Sequence, residues 1–462
     1  VAHQFDPSIL REYDIRGVVG ETLFTADAEA IGRVFGTLVA RGGGKTVCVG
    51  FDGRLSSPDL EAALVRGLIA TGAEVTRIGR GPTPMLYYAA HTRKADGGIM
   101  VTGSHNPPTH NGFKMVLGGK PFFADQIQQI GRMAAADDIV SRPGGKQIDS
   151  PIRGAYVERL LADYSGERPL TVVWDAGNGA AGEAMAELTK RLPGRHITLN
   201  AEIDGRFPAH HPDPTDPKNL EQLIQAVKQE GADLGVAFDG DGDRIGVVDA
   251  RGRILWGDQM VMLLAEDVLA ARPGAPILAD IKASQSLFDR IAALGGQPVM
   301  CRTGHSIIKT RMAEMGAPLA GEMSGHIFFA DRYYGYDDAL YAAVRFLSLM
   351  ARRGAPSLAD RIDAFPKLFN TPEIRIACRD DRKFLAVDEV KRRVAAAGDK
   401  FVDIDGVRVT TADGWWLLRA SNTQPAMIAR CESSSDAGLT RLKATLRDQL
   451  QRSAVAIPSS LD

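Results

Sequence analysis

Ser104 stands in VTGSHNPPTHNGFK (101–114), at the end of an apolar run and just before the turn-forming Asn106-Pro107-Pro108. In an open α/β sheet, ligands bind outside the carboxyl ends of the strands, so a hydroxyl at that point faces a site. A serine that closes a loop through its own hydroxyl is the commoner use of such a residue. That use leaves His105, Asn106 and Lys114, gathered around the serine, without a role. A second segment, FDGDGDR (238–244), interleaves Asp239, Asp241 and Asp243 with glycine and ends on Arg244. Three carboxylates this close repel one another unless a cation neutralises them, and hard oxygen ligands favour Mg²⁺ or Ca²⁺. An EF-hand also starts D-x-D-x-D, but Arg244 and Ala250 occupy the places of its sixth-position Gly and twelfth-position Glu. A haloacid-dehalogenase-type phosphatase places an aspartate after a strand as well; interleaved glycines and a following arginine suit it poorly.

Three further segments carry polar groups at close spacing. Gly177-Asn178-Gly179-Ala180-Ala181-Gly182 matches G-x-G-x-x-G, follows a strand-like run and has Glu202 beyond it, which on paper is a dinucleotide fingerprint. It accounts for neither Ser104 nor the aspartates, and a tight strand-to-helix turn is the better reading. GEMSGH (321–326) sets Glu322, Ser324 and His326 at alternate positions of a glycine-bounded loop, offering hydrogen-bond acceptors and a proton-exchanging imidazole. RASNTQP (419–425) offers Arg419 with Ser421, Asn422 and Thr423, a concentrated set of donors for an anion. Tyr13 and Arg16 in REYDIRG, and Lys282 and His305 after apolar runs, are weaker candidates; taken singly, packing or solvation explains each of them.

The elements that must position these residues alternate in a βα rhythm. Ile31, Val34, Phe35, Leu38 and Val39 form an amphipathic helical stripe. TVCVGFD, EVTRIG and GGIMV read as short buried strands, and the helical run SSPDLEAALVRGLIATG separates the first two. LTVVWD, LGVAF and IGVVD follow, with DGDGDR as the tight loop between the last two, and then a helix over 258–271 and strands PILADI and QPVMC. After Phe365-Pro366 the pattern changes to antiparallel-type strands (EIRIAC, FVDIDGVRVTTADGWWLLRAS, AMIARCES) with helices near 381–397 and 436–452. The expected fold class is α/β, with three similar α/β domains of mixed sheets at 1–150, 151–253 and 254–367, and an α+β domain at 368–462.

Composition narrows the function classes. The 462 residues carry 55 basic and 57 acidic side chains, for a net charge of −2, which disfavours a strongly basic nucleic-acid binder. Apolar residues make up 44%, so disorder is not expected. Four cysteines, at 48, 301, 378 and 431, are too dispersed for a zinc site or a disulfide framework and read as reduced thiols. No signal-like or membrane-spanning run is present, so a cytoplasmic protein with neither membrane nor nucleic-acid partners is expected. Glycine is the outlier: 49 residues, about 11% against a usual 7% or so, more than an ordinary core needs and suited to loops that approach a ligand.

Together TGSHNP, DGDGDR, GEMSGH and RxSNTxP, in this order and one per domain, resemble the α-D-phosphohexomutase family, on the side of its bacterial phosphomannomutase/phosphoglucomutase branch, over essentially the whole chain. The resemblance implies four domains around a deep cleft, a phosphoserine at Ser104, and Mg²⁺ on Asp239, Asp241, Asp243 and the Ser104 phosphate. It implies interconversion of hexose 1- and 6-phosphates (glucose, mannose or both) through a hexose 1,6-bisphosphate, by a monomeric enzyme whose partners are small phosphosugars. Ser104, Lys114, His326, Arg16 and Arg244 would be catalytic. Tyr13, His105, Lys282, His305, Glu322, Ser324, Arg419, Ser421, Asn422 and Thr423 would contact substrate. Gln424 departs from the Glu usual in the last loop, and His110 occupies a variable place in the first. Met323 and Asn422 favour the hexose enzymes over phosphoglucosamine mutases, which usually carry Gln and Gly there. The alternatives of a different class are a dinucleotide-dependent oxidoreductase and a non-catalytic sugar-phosphate binding protein.

Overall fold

The computed structural model describes residues 2–422 and 424–461. Its strands form four sheets. In the first, the parallel strands Thr46–Phe51, Glu74–Arg80, Gly97–Val101 and Lys146–Asp149 are extended on one side by two antiparallel strands, His110–Leu117 and Ile15–Val18. β-Branched and other apolar residues make the central strands (TVCVGF, GGIMV) buried almost throughout, as expected of a sheet covered on both faces. The helix Thr25–Arg41 turns Ile31, Val34, Phe35 and Val39 inward, as its stripe predicts. The second sheet orders Ile254–Leu255, Ile245–Asp249, Leu234–Phe238, Leu170–Asp175 and Gly194–Leu199, and the third orders Gln297–Cys301, Pro276–Asp280, Leu319–Gly321, Ile327–Phe329 and Tyr336–Asp337. Both mix parallel and antiparallel pairs. The fourth is antiparallel and covered by the helices Asp380–Ala397 and Asp436–Arg452. Three α/β units with mixed sheets and one α+β unit are therefore present.

One continuous apolar core joins a face of the first sheet to the second and third units, running from Cys48 and Met100 through Trp174 and Phe238 to Leu347. The fourth unit keeps its own core around Trp416, Met427 and Leu446. It meets the third unit through a small cluster of Ile281, Trp415 and Leu417. The helix Gly182–Thr189 follows directly on the Gly177–Gly182 turn. All four cysteines are free thiols. No helix among the described residues is long and apolar enough to cross a membrane.

Candidate active site

The chain enters the serine loop from the strand Gly97–Val101 and leaves it into His110–Leu117, so Ser104 sits at a strand's carboxyl end. The loop is clamped from beneath by Asp52 and Arg54, which follow the strand Thr46–Phe51. Arg54 is 1% exposed and donates to the carbonyls of Ser104, Asn106, Pro107 and His110 at 2.6–2.9 Å. Asp52 accepts from the Thr102 hydroxyl at 2.9 Å and the Gly103 amide at 3.0 Å. This clamp holds Ser104 at φ +49°, a left-handed conformation uncommon for a non-glycine residue. Its Oγ lies 3.1 Å from Asp239 Oδ2, to which it donates, and 3.2 Å from His105 Nδ1.

The acidic loop joins the antiparallel strands Leu234–Phe238 and Ile245–Asp249, with Phe238 opposite Ile245. It passes so close to the serine that a Cβ on Gly240 would come within 2.2 Å of the Ser104 carbonyl oxygen, which requires glycine there. Asp239, Asp241 and Asp243 are fully buried, with one oxygen of each gathered within 4.8 Å. Lys114 Nζ donates to Asp241 at 2.8 Å and Asp243 at 2.5 Å, and Thr83 Oγ1 donates to Asp241 at 2.5 Å. Asp241 Oδ1 and Asp243 Oδ1 have no hydrogen-bond partner among the described residues. Buried, unpaired carboxylate oxygens are costly, and a divalent cation is the group that three converging oxygens fit. Burial and the neighbouring carboxylates Asp243 and Asp241 push the Asp239 carboxyl well above the usual carboxylate range. Burial opposes charge on Lys114 too, yet Asp241 and Asp243 outweigh it and hold the ammonium well above its ordinary pKa.

Arg244, at the end of that loop, donates from Nε to His326 Nε2 at 2.9 Å. The ring proton is then on Nδ1, which lies 2.9 Å from Asp337 Oδ2. Lys309 Nζ holds the other oxygen of Asp337 at 3.0 Å. His305 stacks on His326 with ring centroids 5.5 Å apart, and burial, then Lys309, lowers its pKa well below the ordinary value. Arg16 is buried, donates to the Gly103 carbonyl at 2.5 Å and pairs with Asp14.

These groups open onto a cleft of about 940 Å³ lined by all four units. Tyr13, Arg16, Ser104, His105, Lys114, Arg244, Lys282, His305, Glu322, Ser324, His326, Arg419 and Ser421 all line it. Glu322 Oε1 accepts from the Gly304 amide at 2.7 Å, which fixes the GEMSGH loop against the turn before His305. Lys282 bonds Glu373 of the fourth unit at 2.9 Å. Arg419 bonds Asp405 at 2.9 Å. Asn422 Nδ2 donates to the Tyr13 hydroxyl at 3.0 Å, joining the fourth unit to the first. Thr423 lies outside the described residues. The cleft lining holds eight Lys and Arg side chains against five Asp and Glu, a surface suited to dianionic ligands.

The GNGAAG segment is spent on packing: Ala180 N–H donates to Gly240 O, and Asn178 reaches Asn200 O and Glu202 O, each at 2.9 Å. Sequence reasoning did not single out Arg54, Asp52, Thr83 or Asp337. The pair Asp52 and Arg54 could have been found, since FDGR follows a buried strand. Thr83 and Asp337 act across 158 and 11 positions of chain on partners that no motif spacing announces.

Comparison with known proteins follows the same four units. The phosphoglucomutase/phosphomannomutase alpha/beta/alpha domains I, II and III match residues 7–139, 154–252 and 256–369, and the C-terminal domain of the same family matches 373–449. A phosphomannomutase/phosphoglucomutase of Pseudomonas aeruginosa is 45% identical over 455 residues, covering 98% of this chain and 97% of that one. A phosphoglucomutase of Neisseria gonorrhoeae is 41% identical over 438 residues, covering 94% and 95%. The crystal structure of a phosphoglucomutase/phosphomannomutase family protein from Burkholderia thailandensis superposes with a TM-score of 0.93 at 42% identity, covering 98% of this chain and 100% of that one. With its four domains matched in order and its length shared almost end to end, the chain belongs to the phosphoglucomutase/phosphomannomutase family.

Proposed function

We propose that the protein interconverts hexose 1-phosphate and hexose 6-phosphate, glucose or mannose, with Ser104 carrying the phosphoryl group. The observation that carries this reading is Ser104 Oγ, held 3.1 Å from Asp239 at the floor of a cation-rich cleft. In the first half-reaction the Oγ–P bond of phosphoserine breaks, a P–O6 bond to hexose 1-phosphate forms, and the O6 proton is taken up by a base. The hexose 1,6-bisphosphate then exchanges its ends. In the second half-reaction the P–O1 bond breaks, P–Oγ re-forms, and the proton returns to O1. Asp239, Asp241 and Asp243, with an oxygen of the Ser104 phosphate, would hold Mg²⁺, which supplies charge neutralisation to the transferring group.

The chain's own residues do the rest. Lys114 and Arg244 present fixed positive charge to the phosphoryl group. Of Lys114, His326 and Arg16, His326 suits the proton transfer best, because Asp241 and Asp243 hold Lys114 as an ammonium and a guanidinium offers no basic lone pair. Asp337 fixes its tautomer so that Nε2 can accept once Arg244 turns to phosphate. His105 flanks the nucleophile. Glu322 and Ser324 accept and donate to sugar hydroxyls, with Tyr13, Lys282 and His305 beside them. Arg419, Ser421, Asn422 and Thr423 hold the distal phosphate, which alternates between position 1 and position 6. We take the working domains as 1–150, 151–253, 254–367 and 368–462, and the enzyme as a monomer in the cytoplasm, where reduced cysteines belong.

The test is conversion of glucose 1-phosphate to glucose 6-phosphate with added Mg²⁺ and glucose 1,6-bisphosphate. Wild type should turn over, and Ser104→Ala should lose activity by at least about 10³-fold while keeping the wild-type melting profile. Wild-type rates in Ser104→Ala would overturn the reading.

A further inference from the structure

Trp256 precedes the helix Gly257–Ala271, and among the described residues it is the one tryptophan that faces solvent. It is 36% exposed, whereas Trp174, Trp415 and Trp416 are at most 3% exposed. The indole lines the cleft together with Asp213, Thr215 and Pro217 of the second unit and Met323 and Ser324 of the GEMSGH loop. Its backbone is locked in place. The Trp256 N–H donates to Gln259 Oε1 at 3.0 Å, and a Cβ on the adjoining Gly257 would come within 2.2 Å of the Glu322 carbonyl oxygen. The loop read above as the sugar contact and the indole therefore share one rigid junction. Most other groups of the lining are charged or hydrogen-bonding.

We propose that Trp256 is an aromatic platform for the pyranose ring, that it selects glucose over mannose, and that it retains the bisphosphate while its ends exchange. This rests on the hexose-phosphate reading. The negative face of an aromatic ring attracts the weakly positive C–H bonds of a sugar, and the contact buries apolar surface on both partners. In an α-hexose 1-phosphate the axial O1 stands off the lower face of the ring, which leaves the upper face for stacking. In glucose that face presents the axial hydrogens of C2 and C4. In mannose the axial O2 replaces the first of them and holds the ring away. Hydrogen bonds to individual hydroxyls must break when positions 1 and 6 exchange places. A contact with a ring face has no such directional requirement, so it can grip the intermediate in both orientations.

Three measurements on the full-length enzyme test this. In Trp256→Ala the KM for glucose 1-phosphate should rise about tenfold, with a smaller rise for mannose 1-phosphate, so that the glucose-to-mannose ratio of kcat/KM falls; Trp256→Phe, which keeps a ring face, should lie between. Trp256→Ala should also need more added glucose 1,6-bisphosphate for full rate, because the intermediate escapes more often. In wild type, glucose 1-phosphate should change the emission of the exposed indole and protect it from iodide quenching, while inorganic phosphate should not; Trp256→Phe should lose the response. An unchanged sugar ratio in Trp256→Ala, or wild-type emission indifferent to glucose 1-phosphate, overturns the platform. If either result is found while wild type still converts glucose 1-phosphate, the platform alone falls. If wild type does not convert glucose 1-phosphate at all, the underlying function falls with it.

Discussion

Lys114 is the residue on which the buried charge turns. Three carboxylates converge on one point, and a single ammonium stands among them, bonded to Asp241 and Asp243. Burial pushes the Asp241 carboxyl up, but Lys114 outweighs it and holds the group below the usual carboxylate range. Asp239, without a lysine on it, is pushed the other way by burial and by its two neighbours. With all three carboxyls ionised the loop would carry more negative charge than one ammonium offsets, and a divalent cation would supply the remainder. Asp241→Asn removes one ligand oxygen and leaves Lys114 with one partner fewer. The Mg²⁺ concentration for half-maximal rate should rise at least about tenfold and kcat should fall, read from a magnesium titration of initial rates. A titration superimposable on wild type would remove this loop from the metal.

The elements matter because each motif is held by residues of another element, and the acidic loop by residues of another unit. The serine loop is clamped by Asp52 and Arg54, the acidic loop by Thr83 and Lys114, and the GEMSGH loop by the Gly304 amide and Gly257. Most of the strands behind these loops were legible, because short apolar runs ending in glycine or aspartate mark buried strands. The helix Ala339–Met350 was not. All twelve of its residues are buried, so no exposed polar face marks it off from a buried strand. Nor could the sequence show Thr83 against Asp241, or Asp337 behind His326, because such partners are chosen by tertiary packing rather than by spacing. The apolar contact between the third and fourth units is a small cluster, and Lys282–Glu373 bridges the same junction. The Lys282 ammonium holds the Glu373 carboxyl down at about 2, from an ordinary 4.5. A carboxylate depressed in the folded state contributes stability above its unfolded pKa and loses it as pH falls toward the folded one. Glu373→Gln should therefore melt below wild type at pH 7. The gap should narrow as the pH falls below 4.5, read by thermal unfolding across that range. A gap that widens on acidification would contradict the assignment.

At the scale of the whole molecule, a net charge of −2 conceals a cleft whose lining is cationic. The glycine excess has a similar explanation in part: Gly240 and Gly257 stand where two loops touch backbone to backbone around the site. Three units share one core and form a fixed wall that carries the serine, the acidic loop and the imidazoles. The fourth brings Arg419 and Asn422 to the opposite side on a core of its own. That division suits a substrate whose two phosphates must be held at two separate places, one for transfer and one for anchorage. The central claim is that Ser104 itself carries the phosphoryl group between the two halves of the reaction. Intact-mass measurement tests it most directly. Protein treated with glucose 1,6-bisphosphate should gain one phosphoryl mass, lose it on adding excess glucose 6-phosphate, and never gain it as Ser104→Ala. Wild-type protein that turns over substrate with no adduct at any stage, or an equal adduct on Ser104→Ala, would contradict the account.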